Sequence, residues 1–389
     1  MSHSSRRPSP RLLTAALLAG LFIGPPPGTA SGGSAAAAPA VSPPVHQRTI
    51  LSPVYRIEEK YRSMLGPYAQ QDVYLVESPE PELLWVTGYE TEVVNAQDGS
   101  EISQEFMCHA NLDFEPHSYM QTFGMEHGVS GRVFTLSQGQ QRIVFPDGYG
   151  IPIVSAQPFQ LTTQVLNLNL EDPDLRVRHR VSIDFVRDRE VSPERPMKPL
   201  YQAAVQGLKS LEDHGIHYGV DLEQVDAAVH GSSCGVGMTA VPEAEALDPL
   251  GRKFTSHWVV EPGREVNHSL VTEFLNLPFD TTAHYIAVHL HPFAESLELI
   301  DRTTGETVFR AEVDAADGRI GIDRVDYLES AEGIAFYKDH QYELVSVYDN
   351  TSGEPQDSMA VMYLYLLDKG FRRPDLGVVA NLPAAPGSR

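Results

Sequence analysis

The chain has 389 residues, 42% of them hydrophobic, which is enough to bury sizeable cores and suggests two or three domains. Its net charge is −23 with the histidines neutral. So acidic a balance lacks the basic footprint of a nucleic-acid binder, and no basic amphipathic stretch points to a membrane surface.

Residues 1–30 read as an export signal. Arg6, Arg7 and Arg11 form a charged start, and residues 12–24 an apolar run shorter than the roughly 20 residues of a transmembrane helix. Gly28-Thr29-Ala30 offers a cleavage site, so the mature chain is expected in the periplasm or outside the cell, with no membrane span. Residues 31–46 continue a Pro-, Gly-, Ser- and Ala-rich linker. Strand candidates follow at 72–77, 83–89, 132–136, 141–146, 160–170 and 176–186, the last alternating strongly, and turn residues separate them. They predict an N-terminal β-sandwich over 47–196. Residues 197–250 read as a connecting segment, with a weak helical pattern around Leu200, Val205, Leu208 and Leu211 and then a polar, Gly-rich loop. A second strand-rich block occupies 251–370, with candidates at 257–260, 269–275, 283–291, 296–301, 307–312, 342–348 and 358–367. Residues 371–389 read as a disordered tail. The expected fold is all-β: two jelly-roll-like β-sandwich domains in tandem with a partly helical or irregular connection. Cys108 and Cys234 are the two cysteines; they permit one disulfide or serve as buried thiols.

The chemistry concentrates in the second block. In the strand candidate Ala283-His-Tyr-Ile-Ala-Val-His-Leu-His291, Ile286, Val288 and Leu290 point one way, into a core. His289 and His291 point the other way, side by side, a spacing that can clamp one metal ion but also occurs in ordinary surface histidines. Met359 is the first apolar residue of a later strand, Met-Ala-Val-Met-Tyr-Leu-Tyr-Leu-Leu367, reached through a polar loop. A methionine at such a place is ordinarily core filler.

Together these segments resemble the C-terminal domain of the copper type II, ascorbate-dependent monooxygenases, the family of peptidylglycine α-hydroxylating monooxygenase and dopamine β-monooxygenase. The resemblance spans about residues 254–368. It lies in Val288-His-Leu-His-Pro-Phe293 running into Leu297-Glu-Leu-Ile300, in a Gly-containing loop after Tyr348, and in Asp357-Ser-Met-Ala-Val-Met-Tyr363. It implies that His289, His291 and Met359 bind the oxygen-activating copper. A thioether favours Cu(I), imidazole suits both copper states, and three protein ligands leave a place for O₂. A site with a carboxylate would suit zinc or iron better. His257 and His284 are read as structural.

The resemblance also implies a second, electron-transferring copper in the first domain, and here the chain departs from the pattern. His109 matches one ligand, but Cys108 stands beside it where the family has histidine, and Leu166 replaces the third histidine. Three accounts are open: a rebuilt site of Cys108 and His109 helped by His117 or His127, a Cys108–Cys234 disulfide, or no metal in that domain. Ala287 replaces an arginine that grips a peptide carboxylate in amidating members, and Val361 replaces an asparagine, while Tyr363 matches a substrate-binding tyrosine. The expected activity is hydroxylation of a C–H bond with one copper, O₂ and an external, ascorbate-like reductant, on a small-molecule substrate. The alternatives are an exported copper-binding or carrier protein on the same fold without turnover, and a β-sandwich that binds no metal.

Overall fold

The structure is a computed structural model that describes residues 42–78, 80–211, 216–220, 245–248 and 250–379. The export signal, most of the linker, the Gly-rich loop with Cys234 and the end of the tail lie outside these residues.

The chain is all-β, and one ten-stranded sheet organises it. Its path runs β1 (His46–Leu51), β10 (Leu175–Arg187), β4 (Leu83–Asn95), β8 (Tyr149–Val154), β11 (Lys198–Gln206), β24 (Ala360–Leu367), β17 (Thr281–Leu290) and β21 (Leu328–Phe336). Short strands β2 (Tyr55–Ile57) and β7 (Arg142–Val144) pair with β10 and β4. A four-stranded sheet, β3 (Tyr68–Val73), β9 (Phe159–Val165), β5 (Met107–Asp113) and β6 (Arg132–Leu136), covers one face. A five-stranded sheet covers the opposite face of the later strands: β16 (Gly263–Leu270), β22 (Tyr342–Asn350), β18 (Ala294–Asp301), β19 (Glu306–Ala315) and β20 (Ile322–Val325). Two small ribbons complete the set: β12 (Lys209–Ser210), β14 (Lys253–Thr255) and β13 (Glu245–Leu247), and β15 (Trp258–Val260) with β23 (Gln356–Ser358).

Two sandwich cores result, and three strands feed both. Along β24, Val361, Tyr363 and Tyr365 enter the first core, and Ala360, Met362, Leu364 and Leu366 enter the second. Leu200 and Ala204 of β11 face the first core, whereas Tyr201, Ala203 and Val205 face the second. Successive side chains of a strand point to opposite faces, so a strand covered on both sides must be apolar throughout. That accounts for the unbroken Ala-Val-Met-Tyr-Leu-Tyr-Leu-Leu of β24. It also corrects the helical pattern expected near Leu200 and Val205. This segment is β11, paired antiparallel with β24 from Leu200↔Leu367 to Gln206↔Val361, so the expected connecting segment begins with a strand of the second sandwich.

Two helices interrupt the strands, one of them where a strand was expected. Residues 269–275 split into the end of β16 and a helical turn, α2 (Thr272–Leu275). A helix, α1 (Pro116–Phe123), follows β5. Its Glu115 carboxylate accepts the His117 and Ser118 amides, Pro116 starts the first turn and Gly124 closes it in the left-handed region. Its Tyr119 and Phe123 pack with Trp85 and Val154.

β10 shows how tightly alternation governs the interior. Val177, His179, Val181, Ile183 and Phe185 are its inward residues, so a histidine occupies an apolar position. His179 is 0% exposed, neither ring nitrogen has a hydrogen-bond partner, and Tyr55 meets its ring edge-on at 6.1 Å. Burial holds the imidazole down to about 4, below its ordinary 6.5. The folded protein keeps this ring neutral while the unfolded chain protonates it. Its contribution is therefore complete above about pH 6.5 and is lost as pH falls toward 4. His179→Phe is expected to remove about one proton, or about 1.4 kcal/mol per pH unit, from the slope of unfolding free energy in that window, measured by urea denaturation across pH. Leu364→Ala, in the strand shared by both cores, is expected to destabilise by about 3 kcal/mol in the same assay.

Candidate metal centre

The ends of β17 and β24 set the geometry. Ile286, Val288 and Leu290 enter the second core, Tyr285 and Ala287 the first. Across the pair, Ala287 lies opposite Tyr363, His289 opposite Val361 and Leu290 opposite Ala360. His289 therefore stands on the side of Val361 and Tyr363, against which Met359 also packs. β17 stops at a tight turn, where the Ala294 amide donates to the His291 carbonyl at 3.3 Å. Pro292 is the second residue of the turn and Phe293 the third, with φ +72°. This is the pattern of a type II turn, whose third residue is usually glycine. Phe293 tolerates that conformation because its ring packs on the second core.

His289 and His291 are both buried, with ring centroids 5.3 Å apart and planes at 84°. The Nδ1 of each has a neighbour. For His289 it is Ser137 Oγ at 3.0 Å. For His291 it is the Asp357 carbonyl oxygen at 3.3 Å, with Asp357 Oδ2 at 3.4 Å. Nε2 of both rings is thereby left as the donor atom for another partner, the usual arrangement of metal-ligating histidines. Burial, and then the nearby His291 and His109, hold His289 well below its ordinary range, so it is neutral and its lone pair is available.

The structure adds a residue that the sequence reading set aside as structural. His257 immediately precedes β15, and β15 pairs with β23 so that Val259 lies opposite Asp357. Glu265 fixes this ribbon by accepting Trp258 Nε1 at 3.0 Å and Lys209 Nζ at 2.6 Å. His257 Nε2 lies 2.7 Å from Asp357 Oδ1, and its ring centroid is 5.8 Å from that of His291. One donor atom from each of His257, His291 and Asp357 falls within 4.8 Å of the others. The His257–Asp357 approach is close but misaligned: His257 Nε2 and Asp357 Oδ2 are buried without a hydrogen-bond partner. Burial would raise the Asp357 carboxyl, but the two imidazoles outweigh it and hold the group well below the usual carboxylate range.

A cavity of about 10 Å³ lies beside His289 and His291, walled by Cys108, Ser137, Leu166 and Pro292 among others. That is at the lower limit for a single water and far too small for an organic substrate. Cys108 and Leu166, expected in a separate first-domain site, thus border the same cavity as the second-domain histidines. Cys108 sits where the pairing of β5 with β9 shifts between Met107 and His109. Burial pushes its thiol up to about 12, so it is not a ready thiolate. His109 is buried too, and burial, then the charges of Arg132, His179 and His291, hold it down to about 3.

The other expected residues fall elsewhere. His117 is exposed on α1, and His127 packs against Tyr201 and Phe279. Among the described residues neither joins Cys108 and His109 in a metal-sized group, so a site rebuilt that way does not form. Tyr363 is buried in the first core near the Arg132–Asp113 ion pair rather than facing an opening. His284 uses both nitrogens, on Thr282 Oγ1 and the Ser330 carbonyl, and stacks on Tyr149 as a structural residue. Met359 lies half-buried between β23 and β24; its carbonyl accepts the Tyr348 hydroxyl at 2.6 Å, and it is not among the residues walling the cavity. Among the described residues no helix is long and apolar enough to cross a membrane.

No family model and no curated protein matches the chain. Among solved structures it is similar to a peptide-N(4)-(N-acetyl-β-D-glucosaminyl) asparagine amidase, at 9% identity and TM-score 0.32, over 85% of this chain and 99% of that one. It is also similar to the STIV MCP, at 7% identity and TM-score 0.30, over 83% of this chain and 97% of that one.

With Cys234 replaced by serine, Cys108 is expected to resist alkylation in the folded protein at mildly alkaline pH and to react fully in guanidinium, as read by mass spectrometry. Rapid labelling of the folded chain would contradict a buried thiol at the cavity wall.

Proposed function

We propose that this is an exported copper-binding protein that holds one copper ion through Nε2 of His289 and His291, without substrate turnover. The observation that carries the reading is the pair of buried imidazoles beside a small cavity of about 10 Å³, each with Nδ1 engaged and Nε2 left over. Such a cavity suits a single ion and has no room for a molecule to be hydroxylated. Bound copper would supply a redox-active centre whose reduced state favours imidazole and thioether donors. In that role the chain positions and shields: Ser137 and Asp357 orient the rings, and Leu166, Leu290 and Pro292 keep water away.

The second reading is a copper monooxygenase-like oxidoreductase using O₂ and an ascorbate-like reductant. It is favoured by Met359, which packs on the same side of β24 as the residue opposite His289. That chemistry requires the cavity to open.

Titration with Cu(I) against a competing chelator is expected to give one tight ion per chain. His289→Ala should weaken it more than about 100-fold, and Met359→Leu should weaken it only if the sulfur is a ligand. Cu(I) affinity indifferent to His289→Ala and His291→Ala would sink the site. Copper-dependent oxidation of ascorbate with O₂ uptake, abolished in His291→Ala, would decide for the oxidoreductase.

A further inference from the structure

We infer that His257, His291 and Asp357 form a distinct site for a zinc-type divalent cation, on the Nδ1 side of His291 and apart from His289 and Met359. The inference shares only His291 with the copper reading and does not depend on copper being bound.

Three observations converge. First, the donors come from three non-local pieces of chain, two of which the β15–β23 pairing fixes together, with Glu265 and Asn350 anchoring β15 from the side. The cluster is therefore built into the sheet rather than gathered on a loose surface.

Second, the spacing suits a shared ion. Donors bound at about 2.0–2.1 Å to one tetrahedral ion stand roughly 3.3 Å apart. His291 Nδ1 and Asp357 Oδ2 are 3.4 Å apart, and one atom of each of the three residues lies within 4.8 Å of the rest.

Third, two of the atoms lack what burial demands. His257 Nε2 lies 2.7 Å from Asp357 Oδ1 and Asp357 Oδ2 lies 3.4 Å from His291 Nδ1, yet neither buried atom makes an aligned hydrogen bond. A cation between them satisfies both at once.

The donor chemistry selects the class of ion. Two imidazoles and one carboxylate make a harder set than imidazole with thioether. It suits zinc, cobalt or iron(II) over Cu(I), with room in the coordination sphere for water. A neutral imidazole carries a single lone pair, so a cation at Nδ1 of His291 and copper at its Nε2 are alternatives on one ring unless the ring loses its N–H proton.

The probe is cobalt(II) added to the metal-free protein, followed by its visible absorption and confirmed by competition with zinc. One equivalent is expected to give a tetrahedral spectrum that zinc displaces. Asp357→Asn and His257→Gln should each weaken cobalt binding by more than about 100-fold, beyond the 10–100-fold expected of a partner that only orients a ligand. Met359→Leu should keep the cobalt spectrum. Thermal melting of each metal-free variant confirms that it is folded. Absence of cobalt binding by the wild type overturns the inference. So does a cobalt affinity that Asp357→Asn and His257→Gln, both folded, leave within about tenfold. Loss of Cu(I) binding alone, with cobalt binding intact, would overturn the copper reading and leave this site standing.

Discussion

The double-sided burial of β11, β24 and β17 is the constraint on which the molecule rests. These strands are the inner layer of both sandwiches, so each of their residues must satisfy one core or the other. Polar side chains inside such strands need partners, as His284 finds in Thr282 and Ser330. His289 and His291 sit at the end of β17, beside the turn at Pro292–Phe293 and the β15–β23 ribbon. The place where the apolar layer stops is also the place where elements distant in sequence meet. The position of the candidate centre therefore follows from the fold, which brings the end of β17 beside the β15–β23 ribbon.

The same constraint explains what could be read from the sequence. One-sided strands announce themselves by alternation, and β10 and β6 lie within a residue or two of where the pattern placed them. β11 does not alternate, because Leu200-Tyr201-Gln202-Ala203-Ala204-Val205 is covered on both faces, and its spacing imitated a helix. The signals of α1 were present in Glu115, Pro116 and Gly124 but sat between strand candidates. Within the site, period two was enough to set His289 apart from Val288 and Leu290. Nothing local could bring His257 to it. That proximity depends on β15 pairing with β23, a contact between residues far apart in the chain. Likewise Cys108 and Leu166 reach the cavity only because the four-stranded sheet folds over the end of β17.

The protonation of these histidines follows from burial more than from any one partner. Desolvation is the largest influence on His109, His179 and His289, and mutual repulsion adds to it for His109 and His289. A group of imidazoles packed so closely cannot all carry charge, and a neutral imidazole is the form that binds metal. Exclusion of water is thus what holds His109, His179 and His289 in the neutral form. The carboxylate of Asp357 is the exception, ionised because it has imidazoles on two sides.

The smallness of the cavity has a kinetic meaning. With walls from Pro292, Leu166 and Leu290 and about one atom's worth of space, a copper ion held as proposed at His289 and His291 would have little room to exchange past its neighbours. Its entry and exit would be eased by parting of the strand end or the overlying sheet, a local opening rather than a free diffusion step. Residence would then be governed by how often the protein opens, and two ions of very different affinity could leave at nearly the same rate. If copper is held there as proposed, its release would follow the opening of the protein more closely than a fall in the surrounding concentration.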